Sequence, residues 1–482
     1  MMKIEKIFEE FQALLPENEA YEGYREDVVL KGNPEAVLRP KDKFELQRII
    51  KLCAQYEIPF TACGSQTSVT GASVAQRGIL ISMEKFKEFE MPRDRADGTA
   101  SVKAQPGVLL GDFQQEMEAQ GWHYPPDPTS WEEVQLGASI ATNATGENSF
   151  YYGSSRNYVL GLEIILPNGD LKSLRRQRNP LELSREKNRA GYLLGEEEID
   201  EWIGSEGSLG IITETELLLL KKPKPFTSIF LFFRHEQEAL KFSLKLNDQR
   251  TNFNLRCLEY MDHEATKMMR VKSERLTIPE DTCTIYIKLE EICEDFFENC
   301  LDNLMEINSS VTTQSDDLFE QALVAQDRNE LLEFRRLRHH VPATINENAY
   351  EQRPSGGGKV SSDWWVPLPH LLEQFQYMRD ELKNLSIPVV AFGHIGNGHP
   401  HVNLIPSNSE EKDAALDFTK KCMQRAARLG GGVCGEHGLG KIKHWALDIQ
   451  WDSQIVKGMR AVKNKWDPRG LAAPGNLFED QN

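Results

Sequence analysis

Three stretches rich in Gly, Ser, Thr and Ala interrupt the first 215 residues: CGSQTSVTGAS (63–73), LGASIATNATG (136–146) and GSEGSLGIIT (204–213). Small side chains leave backbone amides uncovered, and glycine permits positive φ, so such segments bring N–H groups up against a ligand. Ile58-Pro59-Phe60 leads as a strand into the first stretch, the apolar strand GILISM (78–83) follows it, and the strand-like TELLLL follows the third. None matches GxxxxGK[ST] or a strand-anchored GxGxxG, so a Walker-type ATP site and a Rossmann NAD site lose support. Singly, each stretch is an ordinary Gly-rich turn. Together they argue for one long ligand threading between them, with a pyrophosphate on the amides of the stretches at 63–73 and 137–146.

The rest of the chain reads as mixed helix and strand. VLRP (37–40) is short and extended, and Leu46, Ile49, Ile50 and Cys53 then follow the i, i+3, i+4, i+7 spacing of one helix face. VLGLEIILPNGD (159–170) reads as a strand, with Asn168-Gly169 as a hairpin turn signal. KKPKPF (221–226) reads as a linker and places a domain boundary there. From 227 to about 390, strands such as SIFLFF (228–233) and CTIYIKLE (283–290) alternate with amphipathic helices, as in an α+β domain. The length of 482 residues allows about three domains.

Composition removes several classes of function. Lys and Arg number 56 against 74 Asp and Glu, a net charge of −18, which opposes nucleic acid and anionic membrane surfaces but not small anionic ligands. Within 335–360 the sign inverts: Arg335, Arg336, Arg338, Arg353 and Lys359 face only Glu347 and Glu351. Eight scattered cysteines (53, 63, 257, 283, 293, 300, 422, 434) form no CxxC, so they read as free buried thiols in a reducing compartment. MMKIEKIFEEFQALLPE has the period of an amphipathic helix rather than a signal peptide, and no apolar run approaches the ~18 residues of a membrane span. The expectation is a soluble, cytoplasmic protein with no integral membrane segment.

Histidine carries the chemistry. Five of the eleven (His394, His399, His401, His437, His444) fall within 394–444, four of them in GHIGNGHPHVN (393–403) and GGGVCGEHGLGK (430–441). His394 and His401 flank a Gly-rich turn that lets two neutral rings converge on one cation, and Glu436-His437 sets a carboxylate beside an imidazole. Two imidazoles and one carboxylate suit Zn²⁺ or Mn²⁺ better than Ca²⁺ or Mg²⁺. Hydrogen-bonded turn histidines are the competing reading. His399 is a fourth ligand, a group behind the ligands, or an exposed side chain, with exposure the expectation.

These motifs together resemble the flavoproteins of the vanillyl-alcohol oxidase and p-cresol methylhydroxylase type, and within them the D-2-hydroxyacid dehydrogenases acting on D-lactate, glycolate or D-2-hydroxyglutarate. The resemblance covers about 36–478. CGSQTSVTGAS resembles the first FAD pyrophosphate loop, and PPDPTS (125–130) with LGASIATNATG the second; YGSSRNYVLGLEIILPNG and GSEGSLGIITE complete the signature. GHIGNGHPHVN resembles the metal motif GHxGDGNxHxN, GEHGLG resembles GEHGxG, and DPRGLAAPGNLF (467–478) resembles the flavin-contacting turn DPxGILNPGK.

The resemblance implies an α+β fold: a two-subdomain FAD-binding domain of the p-cresol methylhydroxylase type (1–225), a ferredoxin-like α+β substrate or cap domain (226–430), and a helical C-terminal segment (431–482) returning to the flavin. It implies FAD contacts from Gly64, Ser65, Gln66, Thr67, Ser68, Ser73, Pro126, Asp127, Gly137, Ala141, Asn143, Gly146, Tyr152, Gly153, Gly207, Ile211 and Ile212. His394, His401 and Glu436 would bind a divalent metal, Arg338, Lys359 and Asn403 the substrate, and His437 would be the general base, with hydride passing to flavin N5. A separate electron acceptor (electron-transfer flavoprotein, quinone, cytochrome or O₂) and a homodimer are further expectations.

The departures are Asn397 for the usual Asp, His399 for the usual Asn, and Ala473 and Asn476 for the usual Asn and Lys. Pro342 and Ser361 do not preserve the Thr and Lys of the D-2-hydroxyglutarate enzymes, which favours a short substrate such as glycolate or D-lactate. A D-2-hydroxyglutarate dehydrogenase, a non-redox flavoenzyme like alkyl-dihydroxyacetonephosphate synthase, a flavin-free metal hydrolase and a non-catalytic binding protein are the alternatives.

Overall fold

In the computed structural model, which describes residues 7–290, 294–312, 321–325 and 327–480, the predicted helix runs from Lys43–Tyr56, with Leu46, Ile49, Ile50 and Cys53 all fully buried. Asp42 caps it by accepting from the Glu45 N–H, and Glu57 ends it in the left-handed conformation. A 14-residue helix is marginal alone, so the apolar face decides its stability, each buried aliphatic side chain contributing about 1.5–3 kcal/mol. That face packs on Phe60, Ile79 and Ile81, and on Leu471 and Ala472 from the C-terminal segment.

The chain divides into two compact units, residues 1–146, 153–222 and 436–482 forming one, and 147–152 with 223–435 the other. In the first unit, strands β1 (Ala36–Leu38), β2 (Phe60–Cys63) and β3 (Ile79–Ser82) form a parallel sheet of order β1-β3-β2. A second sheet is antiparallel, from β4 (Arg93–Asp94), β5 (Ala100–Ala104), β6 (Trp122–His123), β7 (Val159–Ile165), β8 (Leu171–Arg175) and β9 (Ile211–Lys221). Its order is β4-β5-β9-β7-β8, with β6 also on β9, and the Asn168-Gly169 turn joins β7 to β8. The first unit thus holds one parallel and one antiparallel sheet. One expectation fails: 136–141 is a short helix (Leu136–Ala141) rather than loop, with Leu136, Gly137, Ser139 and Ile140 buried, so packing overrides the weak local propensity of Gly, Ser and Ile.

Asp200 is the electrostatic anchor of this unit. Its fully buried carboxylate accepts from Arg156 Nη1 (2.7 Å), Arg176 Nη1 (2.8 Å) and Arg176 Nη2 (2.7 Å). Asp200→Ala strands two buried guanidinium groups, so a loss of about 3–5 kcal/mol is expected as a lower denaturant midpoint.

In the second unit one seven-stranded sheet holds β10 (Phe226–Phe233), β11 (Leu255–Met261), β12 (Cys283–Glu290), β13 (Leu323–Ala325), β14 (Val360–Ser362), β15 (Val389–His394) and β16 (His399–Leu404). The order is β13-β10-β12-β11-β15-β16-β14. Its first four members follow the 4-1-3-2 arrangement of a ferredoxin-like fold, with helices Glu236–Asp248 and Glu294–Ser309 as the crossovers. A helix of 24 residues, Arg328–Glu351, carries Pro342 inside it and packs Phe334, Leu337, Val341 and Ile345 into the core.

At the N-terminus helix is present over 7–10 and Leu14 then pairs with Val37; residues 1–6 of the expected amphipathic helix lie outside the described residues. Seven cysteines are buried free thiols, and Cys293 lies outside the described residues. No helix among the described residues is long and apolar enough to cross a membrane.

Candidate active site

In the first unit the three small-residue stretches meet through their backbones. Gly204 N–H donates to Ile140 O (3.1 Å) and Glu206 N–H to Ala141 O (2.8 Å), while Gly64 lies against Gln135 and Ala138. Gln66, at φ +54°, ties its loop down by donating to Tyr24 O (2.9 Å); Ser65 is exposed, and Thr67 and Ser68 are half-buried. Asn143 accepts from Arg156 N–H (2.9 Å), and Pro126 O accepts from Gln114 Nε2 (2.8 Å). Gly137 abuts Pro106, and Gly153 and Gly207 take positive φ. Ile211 and Ile212 are buried at the start of β9, whereas Tyr152 belongs to the second unit.

Ser73 Oγ, Gln135 Oε1 and Thr145 Oγ1 are buried without hydrogen-bond partners among the described residues. Buried polar atoms are rarely left so, and a polar ligand among these stretches would use them. Gly146 shows how close the fit is: a methyl in place of its α-hydrogen would lie 1.9 Å from Asp127 O. Overpacking of this kind costs about 1–3 kcal/mol, so Gly146→Ala should destabilise the fold by about that amount, read as a lower denaturant midpoint.

The glycine turn after Glu436 is wrapped around Glu206, a residue the sequence reading did not single out. Glu206 accepts from Leu439 N–H (2.8 Å) and Gly440 N–H (2.7 Å), and a side chain at Gly438 or Gly440 would collide with Glu206 or Thr70. Lys441 N–H donates to Thr70 O (3.0 Å), which fastens the turn to the first small-residue loop. Lys187 Nζ lies 3.7 Å from Glu436 Oε2, a second contact with no local sequence signal. Asn476, where the family motif usually has Lys, donates to Ala72 O and Glu206 O and accepts from Lys441 Nζ (2.6 Å).

Burial pushes the Glu206 carboxyl up to about 7 against the two backbone N–H donors, and burial likewise pulls Lys441 down to about 8. A carboxyl raised from 4.5 in the folded state contributes stability that is present below 4.5 and lost as pH rises through about 7. The melting temperature should therefore fall between about pH 5 and 8, with a shallower fall in Glu206→Gln.

In the second unit the histidines share one face of the sheet. GHIGNGHPHVN folds as the β15–β16 hairpin, with His394 directly opposite His399 and Gly398 turning at φ +66°. Side chains alternate along a strand, so His399, His401 and Asn403 line the face on which His394 stands. Ring centroids are separated by 5.6 Å (His394–His399), 5.1 Å (His394–His401) and 4.7 Å (His399–His401). One ring nitrogen from each lies within 4.8 Å of the other two.

His399 is fully buried, not exposed as expected from the sequence. The reason is Asp363, also fully buried, whose Oδ1 accepts from His399 Nε2 at 2.9 Å and lies 3.7 Å from His401 Nδ1. Glu259 on β11 plays the same part for His394, accepting from Nδ1 at 2.5 Å.

Arg338 also goes to Glu259: Nε and Nη2 both donate to Oε2, at 3.2 and 2.9 Å. Burial pushes the Glu259 carboxyl up, but His394 and Arg338 outweigh it and hold the carboxyl below its ordinary range. Lys359 Nζ donates to Asn346 Oδ1 (2.9 Å), and Asn403 accepts from Ser361 Oγ (3.0 Å) while donating to His401 O (3.3 Å). The local excess of positive charge at 335–360 is thus partly spent, Arg338 on Glu259 and Arg336 on Glu333.

Residues 34–175 match the family described as FAD binding domain, and residues 222–477, more than half of the chain, match the FAD linked oxidases, C-terminal domain. The chain belongs to the FAD-linked oxidase family. Among curated relatives of this oxidase, the glycolate oxidase subunit GlcD of Bacillus subtilis is 27% identical, covering 92% of this chain and 89% of its own. The D-lactate dehydrogenase of Anaerostipes hadrus is 26% identical over 98% of this chain and 97% of its own, and the D-2-hydroxyglutarate dehydrogenase of Stutzerimonas stutzeri 26% identical over 92% and 91%. The FAD-linked oxidase fold is shared with 4-ethylphenol oxidase from Gulosibacter chungangensis, at a TM-score of 0.71 and 14% identity over 100% of this chain and 98% of that one.

Proposed function

We propose that this FAD-linked oxidase converts a short D-2-hydroxyacid, of the D-lactate or glycolate kind, to the 2-oxoacid, with a divalent ion, Zn²⁺ or Mn²⁺, held by His394, His401 and Glu436. The observation that carries the reading is the buried sheet face on which His394, His401 and Asn403 stand together, in a chain with an FAD binding domain. The relatives named for glycolate, D-lactate and D-2-hydroxyglutarate support the substrate class.

FAD, when bound, supplies the two-electron acceptor, and the metal, when bound, supplies Lewis acidity that lowers the pKa of the substrate hydroxyl. The chain's own residues do the rest. His437 takes the hydroxyl proton on a neutral ring nitrogen as the α-hydrogen departs with its electron pair and the carbonyl forms. Asn403 and Lys359 orient the substrate carboxylate by hydrogen bonds, and Arg338 contributes a planar fork whose charge is balanced by Glu259. With one guanidinium already balanced, a substrate carrying a single carboxylate fits better than hydroxyglutarate with two.

A separate acceptor, whether electron-transfer flavoprotein, quinone, cytochrome or O₂, completes the turnover, and a cytoplasmic location is supported by seven buried free thiols. Turnover with a dye acceptor tests the reading. D-Lactate or glycolate should be oxidised, L-lactate not, and a chelator should abolish the rate. Turnover indifferent to chelation would remove the metal from the scheme.

A further inference from the structure

We propose that His399 is an additional imidazole ligand of the divalent ion, oriented by Asp363, so that the site offers three ring nitrogens and discriminates in favour of Zn²⁺ over Mn²⁺. The proposal rests on the metal reading above. It concerns a residue that stands where the family motif usually has Asn, so the extra imidazole is a property of this chain.

The backbone register makes the third ring unavoidable. His394 and His399 are partners across the β15–β16 pair, and His401 follows His399 at the two-residue spacing that returns to the same face. Glu259 is one position on from the Tyr260–Gly393 pair, so carboxylate, imidazole and imidazole form a row across β11, β15 and β16. All three rings are buried, at 2%, 0% and 6% exposure, with a nitrogen of each within 4.8 Å of the others.

The carboxylates decide which nitrogen each ring presents. Glu259 accepts from Nδ1 of His394 and Asp363 from Nε2 of His399, and a ring oriented in this way would coordinate through its other nitrogen. A metal-bound imidazole nearly always donates its other N–H to a carboxylate, carbonyl or water. Asp363 is itself fixed: its second oxygen accepts from Cys434 Sγ (3.3 Å) and its backbone carbonyl from Gly435 N–H (2.8 Å). Three nitrogens favour a borderline ion such as Zn²⁺, whereas Mn²⁺ is better served by oxygen donors.

The test uses FAD-loaded protein stripped by a chelator, titrated with Zn²⁺ alone against a chromophoric competitor and with Mn²⁺ alone by the free-ion resonance signal. His399→Asn, the residue usual in the family, should lower Zn²⁺ affinity about 10–100-fold and Mn²⁺ affinity much less, with Asp363→Asn intermediate. Equal Zn²⁺ affinity in wild type and His399→Asn, with binding lost in His394→Ala, would overturn this proposal and leave the metal reading standing. Wild-type protein that binds neither ion would overturn both. If His399→Asn fails to retain FAD, zinc-edge absorption on the wild type decides: three imidazole ligands are expected, and two would overturn the proposal.

Discussion

His437→Ala should slow reduction of the flavin by a D-2-hydroxyacid by about 10²–10⁴-fold while FAD stays bound. A general base contributes in that range by taking the hydroxyl proton as the carbonyl forms in the transition state. Retention of FAD is expected because the turn around His437 is held by backbone bonds: Leu439 and Gly440 to Glu206, and Lys441 to Thr70. None of these bonds involves the imidazole, so the turn keeps them in the variant. Stopped-flow absorbance on the FAD-loaded variant gives the rate directly. A variant reduced as fast as the wild type would remove His437 from the base role.

His394→Ala should abolish both metal binding and substrate-driven reduction. Loss of this ring also leaves Glu259 facing Arg338 alone, where the carboxylate currently accepts from His394 Nδ1 on one oxygen and from the guanidinium on the other. Removing one partner from a buried charged network costs about 3–5 kcal/mol when a charge is stranded, but here Arg338 still balances Glu259, so the fold should survive. Metal analysis by mass spectrometry should give no stoichiometric ion, and the reduction rate should fall by several orders of magnitude, as expected when Lewis-acid activation of the hydroxyl is lost. Full activity in metal-free variant protein would contradict the proposed ligand set.

The features legible in the sequence are those with local causes. The helix Lys43–Tyr56 was written in four apolar residues at helical spacing, and the β7–β8 hairpin in Asn168-Gly169. KKPKPF marked the passage between units, which falls at Lys222 and Pro223. What escaped was non-local. Glu259 reaches His394 across 135 residues and Asp363 reaches His399 across 36, so nothing near either histidine announced a buried carboxylate.

For the same reason His399 read as exposed: an imidazole without a visible partner belongs in water. Glu206 was hidden differently. It lay inside a stretch noted for its glycines, and its bonds run to backbone N–H groups 233 and 234 residues away, which no side-chain pattern encodes. Pro342 sits well inside the helix Arg328–Glu351, where buried Leu337, Val341 and Ile345 on one face outweigh the missing backbone bond.

Delivery of two electrons from a D-2-hydroxyacid to FAD is the step on which the proposed function turns. It is tested most directly by the visible spectrum of FAD-loaded protein under anaerobic conditions, recorded before and after addition of D-lactate, glycolate, D-2-hydroxyglutarate and L-lactate in turn. D-Lactate or glycolate should bleach the flavin bands with one equivalent of 2-oxoacid formed, L-lactate should not, and prior removal of the metal should prevent bleaching. A flavin that no 2-hydroxyacid bleaches, in protein with its metal in place, would contradict the proposed function.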